Sequence, residues 1–549
     1  MFLRLGLARR MRRATLTTAS PPKRGRGLSV SAALIAAAMM LSRVSGFIRS
    51  SVFAYIFGVE SVAADAFNAA LRIPNFLQNL LGEGVLSASL IPVYSGLLHR
   101  EHQKRADQVA RAVLAALALV TAVVVLVGIT FAGPLSKLIA PGFTGERLEL
   151  TVRLVRIFFP GIGLLVMSAW CLAILNSHQK FFLSYVAPVF WNAAIISALV
   201  IFRHRPVEEI AVRLAWAAAL GSFLQLLAQA IPVWRIMSPY RERAAPGLGD
   251  HVRKVLKSSV PVIFTRGVVQ VSSAIDGMIS SFLGIGAVTA LGNATQLYQL
   301  PISLFGMAVS SAALPTMSAD MAESAPDMLR HRLLTSQRMI ASLVIPSVVA
   351  FLVFGDVMVA MLFQHGRFQR ADTLYVWSIL AGSAVGLMAS TIGRLYSSGF
   401  YALGDTRTPT TFAVIRVVLV AALGYLLAVP LPPAIGIAQK WGAAGLTVSA
   451  GLAGWVEFAL LRHALTGRIG SLPMSVRLLA RTWVAALAGA AAGTAVRFLI
   501  PLGTGGFMLT ARGLAILGVY GCSYLLVANA LGVVALNELY RGLARRASR

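Results

Sequence analysis

The chain has 549 residues, 57% of them apolar and 13% charged, with a mean hydropathy of +0.76. That balance excludes a soluble globular protein and points to a polytopic membrane protein. The formal net charge of +29 does not mark a nucleic-acid binder, because the basic residues recur between apolar runs instead of gathering in one domain.

The first 27 residues carry Arg4, Arg9, Arg10, Arg12, Arg13, Lys23, Arg24 and Arg26 around Pro21 and Pro22, with no apolar core. They read as a basic cytoplasmic tail, not a secretory signal. Windows long enough to cross ~30 Å of hydrocarbon follow about fourteen times. They lie near 30–57, 63–97, 108–132, 151–175, 182–202, 210–237, 255–284, 290–318, 334–360, 373–401, 410–430, 440–462, 478–500 and 508–536. The expected fold is an all-α polytopic membrane protein. Most of the 49 Lys and Arg fall in tails and loops that share one face if the N-terminus is cytoplasmic, which places both termini there.

The first window holds Arg43 and Arg49. In the second, Asp65, Asn68, Arg72, Asn75, Asn79, Glu83 and Ser87 follow one another at i+3 and i+4, one polar stripe on an otherwise apolar helix. By residue count Arg43, Arg49 and Arg72 lie at similar depth and are expected to face one cavity. An arginine near mid-bilayer costs at least ~2.5–3.5 kcal/mol, so three need water or an anionic partner. Guanidinium forks match phosphate oxygens, and a diphosphate fits such a cavity. The plainer reading is a structural lock in which Arg72 pairs with Asp65 and Glu83.

An internal repeat emerges along the chain. Pro92 and Pro315 are 223 residues apart, Gly142 and Gly366 are 224 apart, and the loop Asn176 to Lys180 answers Gly404 to Arg407. Each copy would hold six helices and enter the membrane from the same face, so the pseudo-twofold axis should run along the membrane normal. The expected units are the tail 1–27, an N-lobe 28–238, a C-lobe 251–466, and a final pair of helices with a basic tail, 467–549. The second striped helix carries amides and hydroxyls, among them Gln296, and no charge. Arg266 lies 223 residues after Arg43 and is expected to be the second lobe's cation, with Asp276 beside it to neutralise it, serve a coupling ion or make a plain helix contact. Arg394 or Arg416 is expected to pair with Glu457. Cys171 and Cys522 indicate neither a disulfide framework nor a metal site, and no cofactor is expected. No Gly-Lys pair occurs, so no P-loop is present, and no zincin or nucleophile-elbow motif supports an enzyme.

Seven motifs, in order, resemble one family. They are S-R-V-S-G-F-I-R at 42–49, A-D-A-F at 64–67, R-I-P-N at 72–75, E-G-V-L-S at 83–87, A-P-G-F at 140–143, L-F-Q-H-G-R-F at 362–368 and G-F-Y-A-L-G-D-T-R-T-P at 399–409. Together they are similar to the MurJ (MviN) lipid II flippases of the multidrug/oligosaccharidyl-lipid/polysaccharide exporter superfamily. The resemblance implies two six-helix lobes, a groove for the lipid tail on the last two helices, and export of an undecaprenyl-diphosphate-linked peptidoglycan precursor across the bacterial inner membrane. It places the family's essential first-helix arginines on Arg43 and Arg49 and its acid on Asp65. Ser50, Gln78 and Gln296 stand where the family usually carries charge, so Arg72 and Arg266 are expected to supply the missing cations. The expected substrate-binding set is Arg43, Arg49, Arg72, Arg266, Asn75, Asn79 and Gln296, and the expected coupling or structural charges are Asp65, Glu83 and Asp276. Partners would be the lipid-linked precursor, membrane lipid and cell-wall synthesis proteins, with no nucleic acid. Competing readings are a flippase for another lipid-linked oligosaccharide, a drug exporter of the same superfamily, and a non-transporting scaffold that binds the precursor.

Overall fold

The computed structural model describes residues 27–99, 103–237, 248–322, 326–500 and 506–533. The basic tails therefore fall outside the described residues, as do the side chains of Glu83 and Arg266. The described residues contain helices and no strand. In chain order the first half is α1 (Gly27–Phe57), α2 (Val62–Leu81), α3 (Glu83–His99), α4 (Gln103–Thr130), α5 (Ala132–Ile139), α6 (Gly145–Ser177), α7 (Phe181–Val186), α8 (Pro188–Phe202) and α9 (Val207–Ile236). The second is α10 (Leu248–Ser280), α11 (Ala287–Pro301), a π-helical turn (Ile302–Met307), α12 (Ala308–Ala322), α13 (Pro326–Phe363), α14 (Arg370–Ala402), α15 (Arg407–Ala428), the short α16 (Leu431–Ala434) and α17 (Gly442–Ile469). α18 (Val476–Leu499) and α19 (Gly506–Ala530) end the described chain. Twelve helical runs among the described residues are long and apolar enough to cross a membrane. α1 and α10, with 31 and 33 residues, have the length as well.

The repeat expected from three sequence landmarks extends to the helix bounds. α6 begins at Gly145 and α14 at Arg370, 225 residues on; they end at Ser177 and Ala402, again 225 apart. The turns that follow place Gln179 (φ 58°) and Gly404 (φ 74°) in the left-handed region at the same spacing. The apolar core divides in the same sense. Phe53, Phe67, Leu154, Phe158 and Leu214 belong to one cluster, Leu297, Phe351, Leu387 and Tyr396 to another. A further cluster joins α13 to α18 and α19 through Phe354, Ala486 and Tyr520.

One expectation needs correction. The polar stripe does not run on one continuous helix to Ser87, because Gly82 (φ −91°, ψ −136°) separates α2 from α3. A Cβ at Gly82 would lie 2.2 Å from the Gln78 carbonyl oxygen, so the turn admits no side chain there. In the second half the corresponding interruption is the π-helical turn after Pro301, a distortion that frequents functional sites.

Candidate functional site: the cavities beside Arg72 and the clamp at Asp65

Two glycine turns join the halves reciprocally. A Cβ on Gly142 would stand 2.4 Å from Ser281 O, and one on Gly366 2.4 Å from Tyr55 O. Gly142 N also donates to Ser281 Oγ at 2.9 Å, and Arg367 N donates to Tyr55 O at 2.9 Å. Each turn thus abuts the end of the other half's first helix, the self-complementary pattern of a twofold interface.

Asp65 sits on this approximate axis. Ser61 caps α2, its hydroxyl accepting from Ala64 N at 3.3 Å, which sets Asp65 in the first turn. Fully buried, Asp65 accepts from Gly286 N at 2.7 Å, Thr289 N at 2.9 Å and Thr289 Oγ1 at 2.7 Å. Its fourth donor is Arg147, which forms a buried ion pair with it. Arg147 in turn donates to Gly284 O at 3.2 Å and stacks on Phe143, 3.6 Å from the ring centroid. Asn68 adds a bond to Thr289 Oγ1 at 3.2 Å. The sequence pattern offered Arg72 or a coupling role for Asp65 and did not single out Arg147. Four donors fill the carboxylate's acceptor sites, so Asp65 here is a clamp between halves.

Below the clamp, Arg72 and Asn79 open onto a cavity of about 860 Å³ between α2, α4, α5, α6 and α10, with Gln270, Ser273 and Gln299 on the same polar side. The remaining wall is apolar, built from side chains such as Val127, Leu138 and Phe159. Arg72's guanidinium lies against Gly277, where a Cβ would come within 1.6 Å of Nη1. It is within electrostatic reach of Asp276. Asp276 Oδ1 is buried without a hydrogen-bond partner and also feels Arg416. Arg416 Nη1 donates to Glu457 Oε2 at 3.1 Å, the expected pairing.

The three arginines are not gathered into one chamber. Arg43 borders a second cavity of about 240 Å³ with Gln78, Ser168 and Gln225. Arg49 lies 5.2 Å from the centroid of the Trp191 ring, with its Nε buried and unpartnered. A third cavity, about 250 Å³, is lined by Trp191, Asn75, Gln78 and Gln225. Asn75 also lines the Arg72 cavity and Gln78 the Arg43 cavity, so α2 strings the three cavities together through Asn75 of the stripe and Gln78 beside it. The reason is geometric: residues three apart on a helix differ by about 60° around its axis, enough to face different neighbours. Gln296 borders none of the three.

A profile of the family described as "Lipid II flippase MurJ" matches residues 53–511. The chain belongs to the MurJ family. Probable lipid II flippase MurJ of Rhizobium meliloti (strain 1021) is 30% identical over 535 residues, 94% of this chain and 96% of that protein. Lipid II flippase MurJ of Burkholderia cenocepacia is 31% identical over 439 residues, covering 78% and 82%. Among solved structures, a lipid II flippase MurJ in an inward closed conformation superposes with a TM-score of 0.74 at 23% identity, over 93% of this chain and 99% of that one. An inward-facing MATE multidrug transporter of the MOP superfamily gives 0.63 at 18% identity, over 80% and 98%. The MurJ-type fold and the wider MOP architecture expected from the motifs are therefore present. Of those motifs, A-P-G-F holds the Gly142 contact and the Phe143 platform, and G-D-T places Asp405 at the start of α15. Asp405 accepts from Arg407 N at 2.9 Å, Thr408 N at 3.0 Å and Thr408 Oγ1 at 2.7 Å. It also pairs with Arg468 at 2.7 Å.

Proposed function

We propose that this MurJ-family chain is a lipid II flippase. It carries the undecaprenyl-diphosphate-linked peptidoglycan precursor from the inner to the outer leaflet of the bacterial cytoplasmic membrane. It works by alternating access, as a transporter and not as an enzyme. Family membership supports the reaction. The observation that carries the chemistry is the 860 Å³ cavity, whose wall is divided between an arginine with amides and hydroxyls on one side and plain hydrocarbon on the other. A diphosphate-sugar headgroup joined to a polyprenyl tail needs both surfaces, and forks such as Arg72's recognise its phosphates.

In this reading Arg43, Arg49 and Arg72 guide the diphosphate along the string of cavities, Asn75 and Asn79 meet the sugar hydroxyls, and Arg266 and Gln296 serve the second lobe. Asp65 and Arg147 hold the outer face shut, while Asp276 and Glu83 balance charge on the path. Residues 28–238 and 251–466 form the two lobes and the last two helices carry the lipid tail, giving fourteen spans with both termini cytoplasmic. Cell-wall synthesis proteins would take the product.

The test is complementation of a flippase-depleted strain, read by leaflet-specific labelling of the precursor. Arg43→Ala and Arg49→Ala should leave protein abundance unchanged, since a costly membrane charge is removed, yet strand the precursor in the inner leaflet. Full complementation by both variants would overturn the cavity assignment. A membrane-impermeant thiol reagent should label single cysteines at His99 or Lys257 only after the membrane is opened; labelling of intact cells would overturn the topology.

A further inference from the structure

A second basic cavity lies outside the path just described. It measures about 880 Å³ and is walled by the end of α1, the end of α8, the turn 364–370 and the first turn of α19. These helix ends lie on the same side as the Asp65 clamp, because the Gly366 turn and Tyr55 belong both to this wall and to the inter-half contact.

Its chemistry is one-sided. Arg203, Arg370 and His365 line it, and no Asp or Glu does. Arg203 donates to His204 Nε2 at 2.9 Å and meets no carboxylate among the described residues. Behind the wall Asp356, 3% exposed at its side chain, receives Arg370 Nη2 at 2.9 Å. Arg497 reaches the same carboxylate twice, at 3.2 and 2.9 Å. Arg512 Nη2 donates to Arg497 O at 2.9 Å, placing a third guanidinium beside the one acid. Asp356 therefore holds Arg370 from behind and cannot neutralise the group. Arg370 keeps its other N–H donors free, its side chain being 47% exposed. Exposed apolar side chains flank them: Tyr55 at 51% and Val200 at 53% line the cavity, and Ile201, at 67%, adjoins Val200 on α8.

We propose that this cavity binds the phosphate of an anionic phospholipid headgroup in the outward-facing leaflet, with Arg203 and Arg370 as its phosphate ligands and Asp356 as the positioning residue for Arg370. Three features converge on a lipid. The cavity lies at helix ends, the depth of headgroups; excess guanidinium charge faces it, suited to phosphate oxygens; and its rim continues into exposed hydrocarbon where acyl chains would lie. A cavity of this size suits a small polar headgroup. The proposal does not depend on which cargo crosses the central path.

Native mass spectrometry of the full-length protein in detergent, titrated with phosphatidylglycerol, phosphatidylcholine or inorganic diphosphate, tests it. Wild type should retain phosphatidylglycerol in preference to phosphatidylcholine. Arg203→Gln with Arg370→Gln should weaken that retention by about tenfold or more, as expected for losing two charge-assisted contacts. Arg370→Gln leaves Asp356 its two bonds from Arg497, so no buried acid is stranded. Arg203→Gln alone, on an exposed side chain, should lower phosphatidylglycerol affinity without altering the mass-resolved folded population, and this provides a reading if the double variant fails to fold. Equal phosphatidylglycerol affinity in wild type and Arg203→Gln would overturn the proposal. So would binding of inorganic diphosphate with no preference between the two lipids, which would mark a soluble-anion site.

Discussion

Replacing Asp65 by Asn changes no volume and tests the clamp directly. The carboxylate is fully buried and accepts from Gly286 N, Thr289 N, Thr289 Oγ1 and Arg147. An amide offers one oxygen and an NH₂, so whichever way it turns, some of the four donors face a donor. Keeping the Thr289 bonds on the oxygen turns the NH₂ toward Gly286 N and Arg147, and Arg147 keeps only Gly284 O. Removing one member of a buried ion pair costs about 3–5 kcal/mol. Arg147 belongs to the same half as Asp65, so that cost weighs on both arrangements; the arrangement with the outer face shut alone loses the charge-assisted bond from Gly286 N in the other half, worth about 1.5–3 kcal/mol. Relative populations should then move toward outer opening by about one to two orders of magnitude. Spin labels at exposed Thr144 and Ile435, with Cys171 and Cys522 replaced, would report the change as a longer and broader distance distribution by electron paramagnetic resonance. Arg147→Gln, which loses the bond to Gly284 O across the halves, should shift the distribution in the same direction. Distributions identical to wild type in both variants would refute the clamp as a gate and reduce it to a packing contact.

Three further outcomes are expected. Gly277→Ala puts a methyl where Arg72 Nη1 now lies, so it should displace the fork and depress flipping about as much as Arg72→Ala, at unchanged abundance on immunoblots. The single changes Arg416→Glu and Glu457→Arg should each lower abundance, and the double exchange should recover much of it, with a coupling of roughly 0.5–3 kcal/mol in a double-mutant cycle of thermal stability. Asp405→Asn keeps a capping oxygen but removes the negative charge from the start of α15, and should cost about 0.3–1 kcal/mol in thermal unfolding in detergent. The Asp405 carboxyl is held down to about 2, chiefly by the Thr408 hydroxyl and amide and further by Arg468. A depressed acid contributes fully above its unfolded value of about 4 and loses that contribution as pH falls toward 2. The gap between wild type and variant should therefore be constant from neutrality to about pH 5 and close only in more acid buffer.

The repeat was legible because it is written in glycine turns. Gly142 and Gly366 cannot carry a side chain against the opposing helix end, and such positions stand out in a sequence. The polar stripe on α2 was legible for the same reason as any amphipathic helix, and α2 follows it as far as Leu81. Two features escaped. The break at Gly82 depends on a close approach to Gln78 within the helix itself, and Gly82-Glu83-Gly84, set in a polar spacing that continues to Ser87, does not announce it. Arg147 stands in the first turn of α6, where a basic residue reads as a loop flank; only the tertiary approach of the 284–289 segment reveals that its partner is Asp65. Similar depth likewise did not specify a shared chamber for Arg43, Arg49 and Arg72, since depth is set by residue count and facing by azimuth.

The contacts between halves differ in kind along the membrane normal. At the clamp end they are directional, fixed by short hydrogen bonds at Asp65, Gly142 and Tyr55. Toward the other end, the start of α10 packs Val255 into one apolar cluster with Leu97 and Val109 of α3 and α4, beside its polar first turns with Asp250, His251 and Lys254. Inside a bilayer that greasy contact is easily traded, because acyl chains solvate leucine and valine about as well as another helix does. The molecule is thus a lever with a riveted end and a slippery one. Helices of 33 residues such as α6 and α10 span about 50 Å, so a tilt of about 10° about the rivets swings their far ends by roughly 9 Å. Parting there exposes apolar surface that lipid can cover, whereas parting at the clamp must first break the bonds from Gly286 and Thr289 to Asp65 and from Arg147 to Gly284 O.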